Sequence, residues 1–142
     1  MNAEIKDLLP HRTPFLFVDE ILKADDEKII AVHTFTKDEF FFAGHFPQYP
    51  VVPGVILIET MAQSGGAGLR KLGKLGGDAL FFLATADKVK FRRQVRPGET
   101  LRSEVVNLRV SSKMIKQAGM AYVGDELAAQ AEWLCLVSPR GE

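Results

Sequence analysis

Between Pro53 and about Leu72 the chain carries helical signals at both ends and no continuous polar face in between. Val55, Ile56, Leu57, Ile58, Met61, Ala62, Gly65, Gly66, Ala67, Gly68 and Leu69 crowd this stretch. A helix apolar nearly all round must be buried. Pro53 suits the first helical position, where its missing N–H costs nothing. Arg70, Lys71 and Lys74, with Gly73, are C-terminal signals. The remaining residues therefore have to enclose a helix, and that requirement sets the architecture.

The flanking segments read as strands. Phe15-Leu16-Phe17-Val18 begins one after Pro14, and Lys28 to Phe35 is a second. After the helix come Leu80 to Thr85, Lys88 to Phe91, Thr100 to Ser111, Met114 to Val123 and Glu126 to Val137. Turns are marked by Arg96-Pro97-Gly98-Glu99, Ser111-Ser112-Lys113 and Gly124-Asp125. Glu4 to Leu9 reads as a short opening helix stopped by Pro10. Most strands follow one another with no room for a helix, so the sheet is expected to be antiparallel. The fold class is α+β, a curved antiparallel sheet around one long buried helix. The small residues Gly65 to Gly68 permit close backbone approach, such as that of a second chain.

No repeat, low-complexity tract or linker divides the chain, and residues 1–142 read as one domain. Its 18 basic and 18 acidic residues cancel, so bulk electrostatics favour neither nucleic acid nor an anionic membrane. Met1 to Asp7 lacks the basic start and apolar run of a signal peptide. The longest apolar stretch, Val51 to Ile58, is broken by Pro53-Gly54 and is too short to span a bilayer. A lone cysteine, Cys135, sits beside Trp133, Leu134 and Leu136 like a buried inert thiol, which fits a reducing cytoplasm.

Three residues stand out against this frame. Glu59 lies in the most apolar part of the helix, about 7.5 Å along its axis from Gly54. A carboxylate there is costly unless it is partnered or its pKa rises, and Gln63, one turn on, could orient it. The alternative is a narrow solvent stripe through Glu59, Gln63 and Arg70. His45 is held in Phe40-Phe41-Phe42-Ala43-Gly44-His45-Phe46-Pro47, either as a structural residue or as a general base. Gly54 opens the buried helix, where an unused amide and the electropositive helix end could meet a thioester carbonyl. Together they match what removing water from a 3-hydroxyacyl thioester requires. His45 takes the alpha proton, the Gly54 amide steadies enolate charge, and Glu59 protonates the departing hydroxyl.

This chemistry needs no cofactor. His11, His33 and His45 lack metal-ligand spacing, and one cysteine makes no thiolate cluster. Gly73-Lys74-Leu75-Gly76-Gly77 follows the helix rather than opening one, so it is not a phosphate loop. No serine sits in a nucleophile elbow. The run Lys88-Val89-Lys90-Phe91-Arg92-Arg93-Gln94-Val95-Arg96 is either a solvated strand face or a docking patch for an acidic partner.

Leu8-Leu9-Pro10-His11-Arg12-Thr13-Pro14-Phe15-Leu16-Phe17-Val18-Asp19, Gly44-His45-Phe46-Pro47, and the run from Pro53 to Gln63 together carry a resemblance. They resemble the (3R)-hydroxyacyl-[acyl-carrier-protein] dehydratases of bacterial fatty acid synthesis, the FabZ type. Phe91-Arg92-Arg93-Gln94-Val95-Arg96-Pro97-Gly98 extends the likeness. The resemblance implies a hot-dog fold and a homodimer, often a hexamer built as a trimer of dimers. It puts the family's histidine on His45, its acid on Glu59, its oxyanion glycine on Gly54 and the supporting glutamine on Gln63. It also implies that His45 and Glu59 of one site come from different subunits. The partner would be an acyl carrier protein, received at a tunnel mouth by Arg92, Arg93 and Arg96. Gln48-Tyr49 departs from the family's usual glycine-containing pair, so the loop after His45 is expected to bend differently, and Thr60 stands where alanine is usual. A hot-dog thioesterase, or a non-catalytic acyl- or carrier-binding module, are the competing readings.

Overall fold

A computed structural model describes residues 3–139 of the chain, so Met1 and Asn2 of the opening segment lie outside the described residues. Its elements are α1 (Ala3–Leu8), β1 (Glu20–Ala24), β2 (Ile29–Thr34), a 3-10 turn (Phe40–Ala43), α2 (Gly54–Lys71), β3 (Ala79–Phe91), β4 (Thr100–Val110), β5 (Met114–Val123) and β6 (Glu126–Pro139). The six strands form one sheet in the order β1-β2-β4-β5-β6-β3, and every neighbouring pair is antiparallel.

Along β2, β4 and β5 buried residues alternate with more exposed ones, the pattern of a sheet with one covered face. The covering element is α2, which touches all six strands. Leu57, Met61 and Leu69 from the helix meet Ile29, Leu101, Val105, Ile115 and Trp133 from the sheet in one core. Pro53 stands just ahead of α2, and its carbonyl takes the first helical bonds from Ile56 (2.9 Å) and Leu57 (3.3 Å). At the other end Gly73, at φ 76°, turns the chain left-handed. Lys74 then donates to the Leu69 carbonyl and Gly73 to that of Arg70, which closes the helix in a Schellman cap.

The glycine stripe serves the chain's own sheet. A Cβ at Gly65 would lie 2.2 Å from Oε1 of Gln117, at Gly66 2.2 Å from Cζ of Phe81, and at Gly68 2.5 Å from Cγ2 of Ile29. Helix and strands approach so closely that any Cβ there would require the Gln117, Phe81 or Ile29 side chain to shift. The expectation that these glycines could admit a second chain is corrected on this ground.

Two strand expectations also change. Phe15 to Val18 is irregular, with Phe15 exposed and Leu16 to Val18 buried, and the first strand starts only at Glu20. The cause is a side chain: the Phe17 N–H donates to Oε1 of Gln63 (2.8 Å), and the Phe15 carbonyl accepts from its Nε2 (3.1 Å). Backbone groups satisfied in this way leave no ladder to form. Leu80 to Thr85 and Lys88 to Phe91 are parts of one strand, β3, whose register shifts near Lys88, a residue at φ 52°. Among the described residues β3 pairs only with β6, and Phe82 to Lys88 is exposed on both faces.

Candidate active site

Glu59 projects from the second turn of α2 and is mostly buried, while Gln63, one turn later, is completely so. The Gln63 Nε2 donates to Oε2 of Glu59 at 2.9 Å and to the Phe15 carbonyl; its Oε1 accepts from Phe17. Each end of the amide thus faces a partner of opposite kind, so its orientation is fixed by the bonds. A buried Gln63 also removes the solvent-stripe alternative, and Arg70 is tied to the carbonyls of Leu8 and Ala79. Burial pushes the Glu59 pKa upward, opposed in part by the Gln63 hydrogen bond.

His11 is the residue that sequence reasoning missed here. Its Nε2 lies 3.7 Å from Oε2 of Glu59, and its ring tilts against Phe81. Burial, then the charges of Arg70 and Arg12, lower the His11 pKa. The imidazole is therefore held towards its neutral form, and the contact is not an ion pair at neutral pH. The signal was its place in Pro10-His11-Arg12, inside the segment that reaches α2 through Phe15 and Phe17.

His45 arrives by a different route. The 3-10 turn from Phe40 to Ala43 ends with the His45 N–H donating to the Phe41 carbonyl (3.0 Å), and Val51 N–H returns to the His45 carbonyl (3.0 Å). Its Nδ1 lies 3.1 Å from the Val51 carbonyl, and the ring stacks on Phe46 at 4.3 Å. A carbonyl can only accept, so Nδ1 carries the proton and a neutral His45 presents Nε2 as a base. Among the described residues His45 and Glu59 form no hydrogen bond or ion pair with one another.

Gly54 stands ahead of the hydrogen-bonded ladder of α2. Phe91, itself half exposed, covers it so closely that a Cβ would fall 2.7 Å from the ring. Both residues line a cavity of 530 Å³ with Val52, Val55, Leu57 and Arg92. Val55, beside it, is 71% exposed on an otherwise buried helix.

The three arginines differ in freedom. Arg93 grips Glu99 through two bonds (2.9 and 2.8 Å) and reaches Glu126, so its charge is already answered. Arg96 lies 4.3 Å over the Tyr49 ring and donates to its hydroxyl, while Tyr49 donates to Gln94. The unusual Tyr49 therefore ties the loop after His45 to the Arg96 turn. Arg92 is exposed, and its side chain bonds Gln130 through Nε (3.0 Å). Cys135 is buried, and burial pushes its thiol up to about 12, so it stays an inert thiol.

One six-stranded antiparallel sheet packed on a long central helix is the arrangement of a hot-dog protein. The FabA-like domain model matches residues 9–132. A 3-hydroxyacyl-[acyl-carrier-protein] dehydratase FabZ of Pelotomaculum thermopropionicum is 46% identical over 135 residues, covering 94% of this chain and 96% of its own length. The FabZ dehydratase of Desulforamulus reducens is 45% identical, covering 99% and 98%. Among solved structures, the dehydratase heterocomplex ApeI:P from Xenorhabdus doucetiae superposes with a TM-score of 0.82 at 20% identity, covering 100% and 95%. A hypothetical thioesterase with coenzyme A from Streptococcus pneumoniae shares the fold at TM-score 0.62 and 10% identity, over 84% and 85%. The chain belongs to the FabA-like family, among its FabZ-type 3-hydroxyacyl-[acyl-carrier-protein] dehydratases.

Proposed function

We propose that the chain converts (3R)-hydroxyacyl-[acyl-carrier-protein] to trans-2-enoyl-[acyl-carrier-protein] during fatty acid elongation. Nε2 of His45 takes a proton from C2, and those electrons form the C2–C3 double bond as the C3–O bond breaks. The hydroxyl leaves as water with the Glu59 proton, while the Gly54 amide donates to the thioester oxygen as it gains enolate charge. Solvent then returns a proton to Glu59 and removes one from His45. The mechanism calls on no metal or cofactor.

The observation that carries this reading is Glu59: a carboxyl on an apolar helix, its pKa raised by burial, held by an amide with every bond made. Gln63 and, by its position, His11 support it. Residues 1–142 act as one dehydratase domain. Two copies pair to complete the site, assembling further as a trimer of dimers, in the cytoplasm. Support for pairing comes from β3, a long edge strand without proline that leaves Phe82 and Leu83 exposed. Arg92 and Arg96 receive the acidic carrier protein near the Gly54 cavity, and Arg93 frames the patch through Glu99.

The test is hydration of a trans-2-butenoyl thioester, followed by loss of the conjugated absorbance with thiol release recorded in parallel. Hydration without thiol is the expected result. Thiol release without hydration marks a thioesterase, and tight binding with neither reaction marks a binding module.

A further inference from the structure

A second cavity, of 630 Å³, lies apart from the Gly54 site and is lined by Thr13, Pro14, Leu16, Asp19, His33 and Glu39 among others. Beside it His33 is only 5% exposed, with both ring nitrogens engaged. Nδ1 lies 2.8 Å from Oδ1 of Asp19, and Nε2 lies 3.0 Å from Oε2 of Glu39. Asp19 also accepts the Thr34 N–H through its other oxygen (2.8 Å). Ionised carboxylates only accept, so a ring that bonds both must donate from both nitrogens, which makes it an imidazolium.

The two carboxylates belong to two different segments. Asp19 ends the irregular stretch whose Phe15 carbonyl and Phe17 N–H fix Gln63, and through it Glu59. Glu39 opens the 3-10 turn: its carbonyl accepts from Phe42, and the turn's last bonds deliver His45. Phe17 and Phe35 pack edge-on against the His33 ring, and Leu101 faces it from β4. Glu20 and Asp38 line the same cavity, and no lysine or arginine does among the described residues. One buried cation thus links the backbone that sets the acid to the backbone that sets the base.

We infer that His33 is a positioning residue, its imidazolium holding the Asp19 and Glu39 segments in the register that places Glu59 and His45. The inference rests on the proposed roles of those two residues. Burial opposes the His33 charge, but the hydrogen bonds and charges of Asp19 and Glu39 outweigh it and raise its pKa to about 9. A raised cationic pKa means the clamp is fully present below the ordinary value of 6.5 and is lost as pH rises through about 9.

Three variants of the full chain test this: His33→Gln, which removes the charge; His33→Lys, which keeps a cation; and Glu39→Gln. Two readouts are taken, hydrogen exchange of the peptides spanning 15–18 and 39–47, and kcat and KM for hydration of trans-2-butenoyl-CoA. His33→Gln should quicken exchange in both peptides and lower kcat about 10²-fold, as expected for a displaced reacting group. KM should stay within about threefold. His33→Lys should recover most of kcat and move the alkaline fall in activity upward, since lysine titrates near 10.4. Should His33→Gln fail to fold, Glu39→Gln takes its place, with faster exchange expected in 39–47 alone. The inference is overturned if either folded charge-removing variant keeps wild-type exchange, or if His33→Lys is as impaired as His33→Gln. If the wild-type chain hydrates nothing, the dehydratase reading falls, and exchange alone decides the role of His33.

Discussion

At Glu59 two physical effects oppose each other. Burial raises the carboxyl pKa, which in the proposed mechanism keeps a proton available for the departing hydroxyl, while the Gln63 amide favours the ionised form and fixes the carboxyl's orientation. A native pKa above the unfolded value means that ionisation weighs against folding, so stability falls as pH climbs through that interval. Glu59→Gln keeps an oxygen for Gln63 and removes the charge. We expect hydration to fall by at least about 10²-fold. The melting temperature should equal or exceed that of the wild type at pH 7, the difference vanishing below the ordinary carboxylate range. A melting temperature several degrees lower at pH 7 would show that the carboxylate stabilises the fold instead. Glu59 and Gln63 were legible in sequence because a charge inside an apolar helix is a local anomaly. His11 was not, because its approach to Glu59 depends on an irregular segment 48 residues away in sequence. His33 read as a strand residue, and nothing local announces two carboxylates from separate segments.

The elements were easier to read than the contacts between them. α2 is bounded by signals that act within one turn, proline ahead and a Gly73 cap behind, so its limits followed from the chain alone. Phe15 to Val18 has the composition of a strand yet forms none, because Gln63 takes its backbone bonds and composition does not record a partner so distant. The glycine stripe was visible, but not what faces it. Its role gives a stability prediction: Gly68→Ala drives a methyl into Ile29, and overpacking of this kind costs about 1–3 kcal/mol. The helical preference of alanine returns roughly 1 kcal/mol, so a net loss remains only if Ile29 cannot move. We expect a fall of a few degrees in melting temperature. Gly76→Ala serves as the control, because its Cβ would meet only the Ala79 Cβ at 4.0 Å. If both variants melt like the wild type, the close approach of α2 to β2 is softer than its distances indicate.

For the whole molecule the open matter is where one working site lies. Within the chain His45 hangs from the loop closed by Val51, and Glu59 is fixed to α2 by Gln63, with no bond between them. The unpaired β3 edge and the exposed Val55 at the head of α2 offer a second copy both hydrogen bonds and apolar surface. Sequence could show a charge out of place but not this edge, since a strand exposed on both faces has no alternation to reveal its partner. Mixing His45→Ala chains with Glu59→Ala chains separates the two arrangements. If each site lay within one chain, every site in the mixture would carry one defect and activity would stay absent. If a site joins two chains, half of randomly exchanged dimers are hybrids, and each hybrid holds one intact site beside one doubly defective site. Activity should then return to about one quarter of the wild-type level, as the symmetry of an isologous pair dictates. The check is the hydration rate before and after subunit exchange, with exchange confirmed by native mass spectrometry of isotope-labelled chains. Complete exchange without recovery would place His45 and Glu59 of a site in the same chain, and β3 pairing would then serve assembly alone.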